Sequence, residues 1–141
     1  MTDFTLHEKL SNDCIELGML QDSLLLLMNN SLVPWFIIVP KTSKLELYEL
    51  SEREQAALHQ NINLLSEFMV NNFRIDKLNV ASIGNIVNQM HIHVIGRQRE
   101  DYCWPDVVWG KKERVAYEPD QVSNLVDALT KSLLQHFKPG G

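Results

Sequence analysis

Basic residues are in short supply: 13 Lys and Arg stand against 18 Asp and Glu, leaving a formal charge of -5 over 141 residues. A net acidic chain lacks the positive excess that non-specific binding of nucleic acid or an anionic membrane demands. Neither is therefore expected as a partner, although a local basic patch can hold one small anion. Cysteine is scarce as well. Cys14 and Cys103 are the only two and form no Cys-x-x-Cys pair, so two reduced thiols are expected rather than a disulfide framework. Long apolar runs are missing. The longest, residues 24–28 and 35–40, fall far below the ~20 residues that a membrane-spanning helix needs. Asp3, Glu8 and Lys9 interrupt the N-terminus and no apolar stretch comes after them. No secretory leader is expected, and the cytoplasm is the predicted compartment.

The residues present suffice for an ordinary core. Hydrophobic residues make up 45% of the chain, and a chain of this size buries roughly two-thirds of its extended surface on folding. Collagen, coiled coil, wholesale disorder and a disulfide-stapled miniprotein are excluded by composition. No repeat or low-complexity linker divides the sequence, so one domain over residues 1–141 is predicted.

Thr5 and Glu8 have the spacing of a capping box, which predicts a short opening helix. Residues 14–19 alternate like a strand. Residues 23–28 form a continuous apolar run that reads as a strand buried on both faces. Asn29-Asn30-Ser31 is turn chemistry. Residues 35–39, framed by Pro34 and Pro40, are rich in β-branched and aromatic side chains and read as a third strand. Ser51 and Glu54 form a second capping box. Leu58, Ile62, Leu65, Met69 and Phe73 then fall on one face of a long helix. Residues 77–83 and 88–97 are predicted as two further strands joined through Gly84-Asn85. Pro119 opens a last helix, with Val122, Leu125, Val126, Leu129 and Leu133 as its apolar stripe. The order predicts an α+β fold: a mainly antiparallel sheet of about five strands, one face covered by helix, one long helix and a C-terminal helix.

The segment from Gly84 to Arg97 carries the chemistry. On a strand, Gln89, His91 and His93 share one face, and Met90, Ile92 and Val94 share the other. Three polar groups on one sheet face are unfavourable if buried without partners, so that face is either wet or a site. Imidazoles roughly 7 Å apart along a strand offer three chemistries. A neutral ring nitrogen can attack phosphorus, a ring titrating near neutrality can serve as acid or base, and the pair can supply two ligands to a metal.

The stretch Gln89-Met90-His91-Ile92-His93-Val94-Ile95 resembles the motif of the histidine triad (HIT) family, His-φ-His-φ-His-φ-φ with φ hydrophobic. Gln89 stands where the first histidine would be. Gly84-Asn85-Ile86-Val87 resembles the Gly-Gln-Ser/Thr-Val that precedes the motif, and Gly96-Arg97 resembles the Pro-Arg or Gly-Gly that often comes directly after it. Residues 34–41 resemble the family's Pro-Gly-His-φ-φ-φ-x-Pro-Lys strand. The likeness covers residues 13–97, with 98–141 as a C-terminal extension. In that extension, Trp104 to Gly110 resembles a bacterial branch often labelled diadenosine tetraphosphate hydrolase, in which a Gln-x-His-x-His variant occurs.

The resemblance implies a nucleotide substrate cleaved at its α-phosphorus. His91 matches the nucleophile that forms a nucleotidyl–histidine intermediate, which water then releases as a nucleoside monophosphate. His93 matches the histidine that contacts phosphate and assists the leaving group. A glutamine at that last position marks the related sugar-phosphate uridylyltransferases, so His93 favours water as acceptor over a nucleotidyl transfer. Asn79 and Asn85 match polar side chains that contact phosphate. Asn29 lies near the ribose-contacting position. Arg97 is a candidate for drawing in polyphosphate. The family mechanism requires no metal or other cofactor, and homodimers are usual, so Trp104 and Trp109 are expected as interface anchors rather than base-stacking residues. Two departures bear on activity. Gln89 cannot take a proton and can only orient through its amide, and Ile86 replaces a hydroxyl that meets phosphate oxygen. A nucleotide-binding module with little catalysis is therefore the first rival. A metal-binding sheet protein is the second, weakened because no third ligand sits at a usual spacing.

Overall fold

The computed structural model describes residues 4–140; residues 1–3 and Gly141 lie outside it. Among the described residues, six strands form one sheet: β1 (Cys14–Leu20), β2 (Ser23–Met28), β3 (Trp35–Pro40), β4 (Lys77–Ala81), β5 (Ile92–Arg97) and β6 (Phe137–Pro139). Their spatial order is β4-β5-β3-β2-β1-β6, and every neighbouring pair is antiparallel. The α-helices that accompany them are α1 (Glu8–Asp13), α2 (Glu52–Asn72) and α3 (Pro119–Leu133). The fold is α+β, as the sequence predicts.

Both faces of the sheet are covered, which explains why β2 and β3 read as unbroken apolar runs. On one face Leu25, Leu27, Phe36, Ile38, Ile92 and Val94 pack under α2 and α3, which contribute Leu58, Leu65, Phe68, Met69, Leu125, Leu129 and Leu133. On the other, Leu24, Leu26, Trp35, Ile37, Val39 and Ile95 pack with Leu10 of α1 and with Val87 and Val108. That second face is the one on which His93 stands, because His93 pairs with Ile37 across β3 and with Ala81 across β4.

The capping box of α2 forms as expected. Ser51 Oγ accepts from the Glu54 N–H at 3.1 Å, and Glu54 returns a carboxylate oxygen to the Ser51 N–H at 2.9 Å. These contacts satisfy two donors that the first turn leaves without a helical partner. Phe73 lies just past the last helical residue, in extended backbone as the C-cap. It still packs edge-on with Phe36 and Phe68.

Two expectations need correction, and the sheet of about five strands gains one short member. Thr5 does not cap α1. His7 does, its Nδ1 accepting from the Lys9 N–H at 3.0 Å. Residues 88–91 are not strand, and β5 begins at Ile92. A sixth strand, β6, closes the sheet against β1. It is three residues long and contains a proline, so it has no alternation to detect. Its edge position, where an absent N–H is tolerated, accommodates Pro139.

Candidate functional site

A cavity of about 330 Å³ opens on the second face of the sheet. His91 and His93 form part of its wall, with Trp35 and Ile37 of β3, Met28 at the end of β2 and Trp109 from the C-terminal extension. The β4–β5 loop adds Gly84, Asn85, Ile86 and Val87, and α1 adds Lys9, Leu10 and Asp13. Gly84 has φ +66°, a left-handed conformation that favours glycine. Val87 is buried and pins the loop to the core.

The two imidazoles lie with ring centroids 4.9 Å apart, and each has one nitrogen engaged. His91 Nδ1 is 2.7 Å from the backbone carbonyl of Gln89. A carbonyl only accepts, so the proton of the neutral ring sits on Nδ1 and Nε2 keeps its lone pair. His93 Nδ1 accepts from the indole N–H of Trp35 at 3.0 Å in a buried contact. Trp109 stands edge-on to His93, centroids 5.2 Å apart. Burial, reinforced by neighbouring His91, pushes His93 down to about 4, so its ring is neutral at physiological pH.

The sequence candidates divide by location. His91, His93 and Asn85 line the cavity. The Gln89 side chain does not share the histidines' face. It reaches the N-terminal segment, where Oε1 accepts from the His7 N–H at 2.8 Å and Nε2 donates to the Thr5 carbonyl at 2.9 Å. Asn29 ties down the C-terminal extension, its Oδ1 accepting from the Tyr117 N–H at 2.9 Å. Arg97 is only 2% exposed and is held by Asp101 through two hydrogen bonds of 2.8 and 3.0 Å. Asn79 Oδ1 accepts from the same guanidinium at 3.1 Å, and Trp104 lies beneath it with its ring centroid 5.5 Å away. Arg97, Asn79 and Asn29 are therefore outside the cavity wall.

Trp35 and Trp109 line the cavity, although the sequence singled out Trp35 only as part of a strand and Trp109 only as an interface anchor. The signal for Trp35 was available: it stands where the resembled strand motif carries a histidine. Lys9 and Asp13 were not singled out either; they form a partly exposed ion pair of 3.1 Å on α1 at the cavity wall. Cys14 and Cys103 are both free thiols, and burial with the nearby Asp13 charge pushes Cys14 up to about 12, which makes it a poor nucleophile. Among the described residues, no three His, Cys, Asp or Glu side chains converge in a way that could hold a metal ion. No described helix is long and apolar enough to cross a membrane.

Comparison with protein families matches residues 10–100 to the HIT domain. Among solved structures, a histidine triad protein from Marinobacter aquaeolei VT8 is 41% identical, with a TM-score of 0.88 over 94% of this chain and 98% of that one. A histidine triad protein from Bradyrhizobium japonicum is 35% identical, with a TM-score of 0.87 over 92% of this chain and 97% of that one. Another, from Sinorhizobium meliloti 1021, is 34% identical, with a TM-score of 0.88 over 94% and 98%. No curated protein matches the chain.

Proposed function

Since this chain belongs to the HIT domain family, we propose that it is a nucleotide hydrolase of the diadenosine tetraphosphate hydrolase-like branch, cleaving a nucleoside phosphate or dinucleoside polyphosphate at the α-phosphorus. The observation that carries this reading is the 2.7 Å contact between His91 Nδ1 and the Gln89 carbonyl. It leaves the His91 Nε2 lone pair as the nucleophile, and the positive charge that the ring acquires on attack is stabilised at Nδ1–H. An N–P bond forms as the bond from phosphorus to the leaving-group oxygen breaks. Water then attacks phosphorus, the N–P bond breaks, and the monophosphate departs with the neutral ring restored. His93, Asn85 and Lys9 supply donors around the reacting phosphate, while Leu10, Met28 and Ile37 offer an apolar wall for the base. Displacement at phosphorus depends chiefly on such positioning.

A second reading, a nucleotide-binding module with little turnover, is favoured by Gln89, whose side chain is committed to Thr5 and His7, and by Ile86, which brings no hydroxyl to the cavity. One experiment separates the two. Adenylylated and guanylylated substrates are assayed for monophosphate release by the wild type and by His91→Ala. The enzyme reading expects turnover that the variant loses while still binding AMP, and an acid-labile phosphoramidate on His91 after quenching. Binding without release in the wild type selects the module.

The same reading makes the protein a cytoplasmic homodimer. β4 is an edge strand of the sheet, and an apolar groove lined by Leu47, Leu58, Ile62, Leu78, Val80 and Ile92 lies beside it. Sedimentation of the purified chain at twice the monomer mass is the expected result.

A further inference from the structure

The two imidazoles are each tied to a partner that cannot titrate, and the two partners are of opposite kind. The Gln89 carbonyl can only accept a hydrogen bond, and the Trp35 indole can only donate one. We propose that Trp35 is a positioning residue that holds His93 as the neutral Nε2–H tautomer, so that His91 and His93 stand as opposite tautomers, one offering a lone pair and the other an N–H. For the reaction this rests on the function proposed above; for the state of the ring it rests on geometry alone.

The hold on the ring is both steric and electrostatic. With Nδ1 of His93 accepting from Trp35 at 3.0 Å, a proton added at Nδ1 would face the indole N–H directly. The imidazolium is thereby opposed by a specific contact as well as by burial. The ring is hemmed in by its neighbours: Ile37 and Ala81 are its partners on β3 and β4, and Trp109 stands edge-on to it. Its Nε2 makes no hydrogen bond to a described side chain, is not sealed from solvent, and belongs to a cavity-lining residue. The titratable groups around it, among the described residues, are few. His91 approaches from the segment before β5, and the Lys9–Asp13 pair comes from α1, while β3, β4 and the C-terminal extension present Trp35, Ile37, Ala81 and Trp109, none of which carries charge. His93 therefore meets a phosphoryl oxygen as an uncharged donor. An indole cannot pass a proton on, so no relay runs through Nδ1.

The test is a pH titration of the histidine rings by ¹⁵N NMR, in the wild type, Trp35→Phe and Trp109→Phe. In the wild type, His93 is expected to show an unprotonated Nδ1 and a protonated Nε2, and to stay neutral down to about pH 5. Trp35→Phe keeps an aromatic ring but removes the donor, and His93 should then titrate at least one pH unit higher. Trp109→Phe should leave the His93 tautomer unaltered. If turnover is found, Trp35→Phe should move the acid limb of the rate profile upward by a similar amount and lower kcat about tenfold, with KM nearly unchanged. A wild-type His93 protonated at Nδ1, or an unchanged titration in Trp35→Phe, overturns the proposal. Should Trp35→Phe fail to fold, the wild-type tautomer decides alone. Absence of turnover with the expected tautomer refutes the hydrolase reading and leaves the assignment of Trp35 to the ring's state intact.

Discussion

Gln89 and His7 are joined across 82 positions of sequence by a 2.8 Å hydrogen bond from the His7 N–H to the Gln89 side-chain oxygen. The other end of the same amide donates to the Thr5 carbonyl. Gln89 thus behaves like a piece of neighbouring backbone, fastening the segment that leads into α1. Since α1 contributes Lys9, Leu10 and Asp13 to the cavity, this latch sets one wall of the site. An imidazole carries its donor and acceptor on different sides of a rigid ring and cannot close both contacts. Gln89→His and Gln89→Ala should therefore both loosen α1. The expected cost is about 1–2 kcal/mol of stability, with faster amide exchange confined mainly to residues 6–13. Nucleotide affinity should weaken by roughly 3- to 10-fold. Unchanged exchange across α1 in both variants would show that the latch holds nothing.

Arg97 and Asp101 form a buried ion pair away from the cavity wall, and their expected contribution is to stability. Burial pushes the Asp101 carboxyl up, but hydrogen bonds from Arg97 and from the Gln98 and Cys103 N–H groups, with the guanidinium charge, bring it below its ordinary value. A buried, bidentate pair is strongly destabilised when one member is removed, because the other charge is left uncompensated. Asp101→Ala should cost about 3–5 kcal/mol in urea unfolding. Whatever Asp101→Ala protein folds should still bind nucleotide with close to wild-type affinity. A large loss of affinity with stability intact would return Arg97 to the binding site.

Gly18 joins the sheet to its late-arriving edge. Its φ is +154°, and a Cβ there would run into the Lys138 carbonyl and the Pro139 backbone of β6. Gly18→Ala should displace β6 and cost about 1–3 kcal/mol, read as a lower midpoint in urea and lost protection at the Leu20–Phe137 end of the pair.

Much of this architecture was legible because local signals agreed with the tertiary outcome. The Ser51–Glu54 cap, the Leu58–Leu65–Met69 stripe and the double burial of β2 all arise from residue pattern. The features that escaped notice depended on partners distant in sequence. β6 has no intrinsic pattern and exists because β1 offers an open edge. The alternation of residues 88–97 suggested one long strand, yet the Gln89 carbonyl turns to His91 instead of joining a ladder. The Gln89 side chain meets residues 5–7, which no periodicity could reveal. His91 and His93 were legible as a pair through motif and alternation. Their opposite hydrogen-bonding partners were not, because one is a main-chain carbonyl and the other an indole 58 residues away.

His93 also leaves a mark on stability that requires no substrate. Its folded value is about 4 against an ordinary 6.5, with burial the larger cause and His91 the lesser. Above about pH 6.5 both folded and unfolded chains hold the ring neutral, and this group contributes no pH dependence. Between about 6.5 and about 4 the unfolded chain binds a proton that the folded chain refuses. Stability then falls as pH falls, by a total on the order of 3 kcal/mol. Below about 4 both states are protonated and this loss stops growing. His93→Gln keeps an acceptor for the Trp35 N–H and a donor for the cavity but cannot titrate. Urea unfolding at pH 7 and pH 4.5 should therefore show a smaller acid-induced loss in His93→Gln than in the wild type, the difference being on the order of 2–3 kcal/mol. Equal losses in the two proteins would mean that the folded ring takes up its proton as readily as the unfolded one. That result would also remove the physical basis for treating His93 as a neutral donor beside His91.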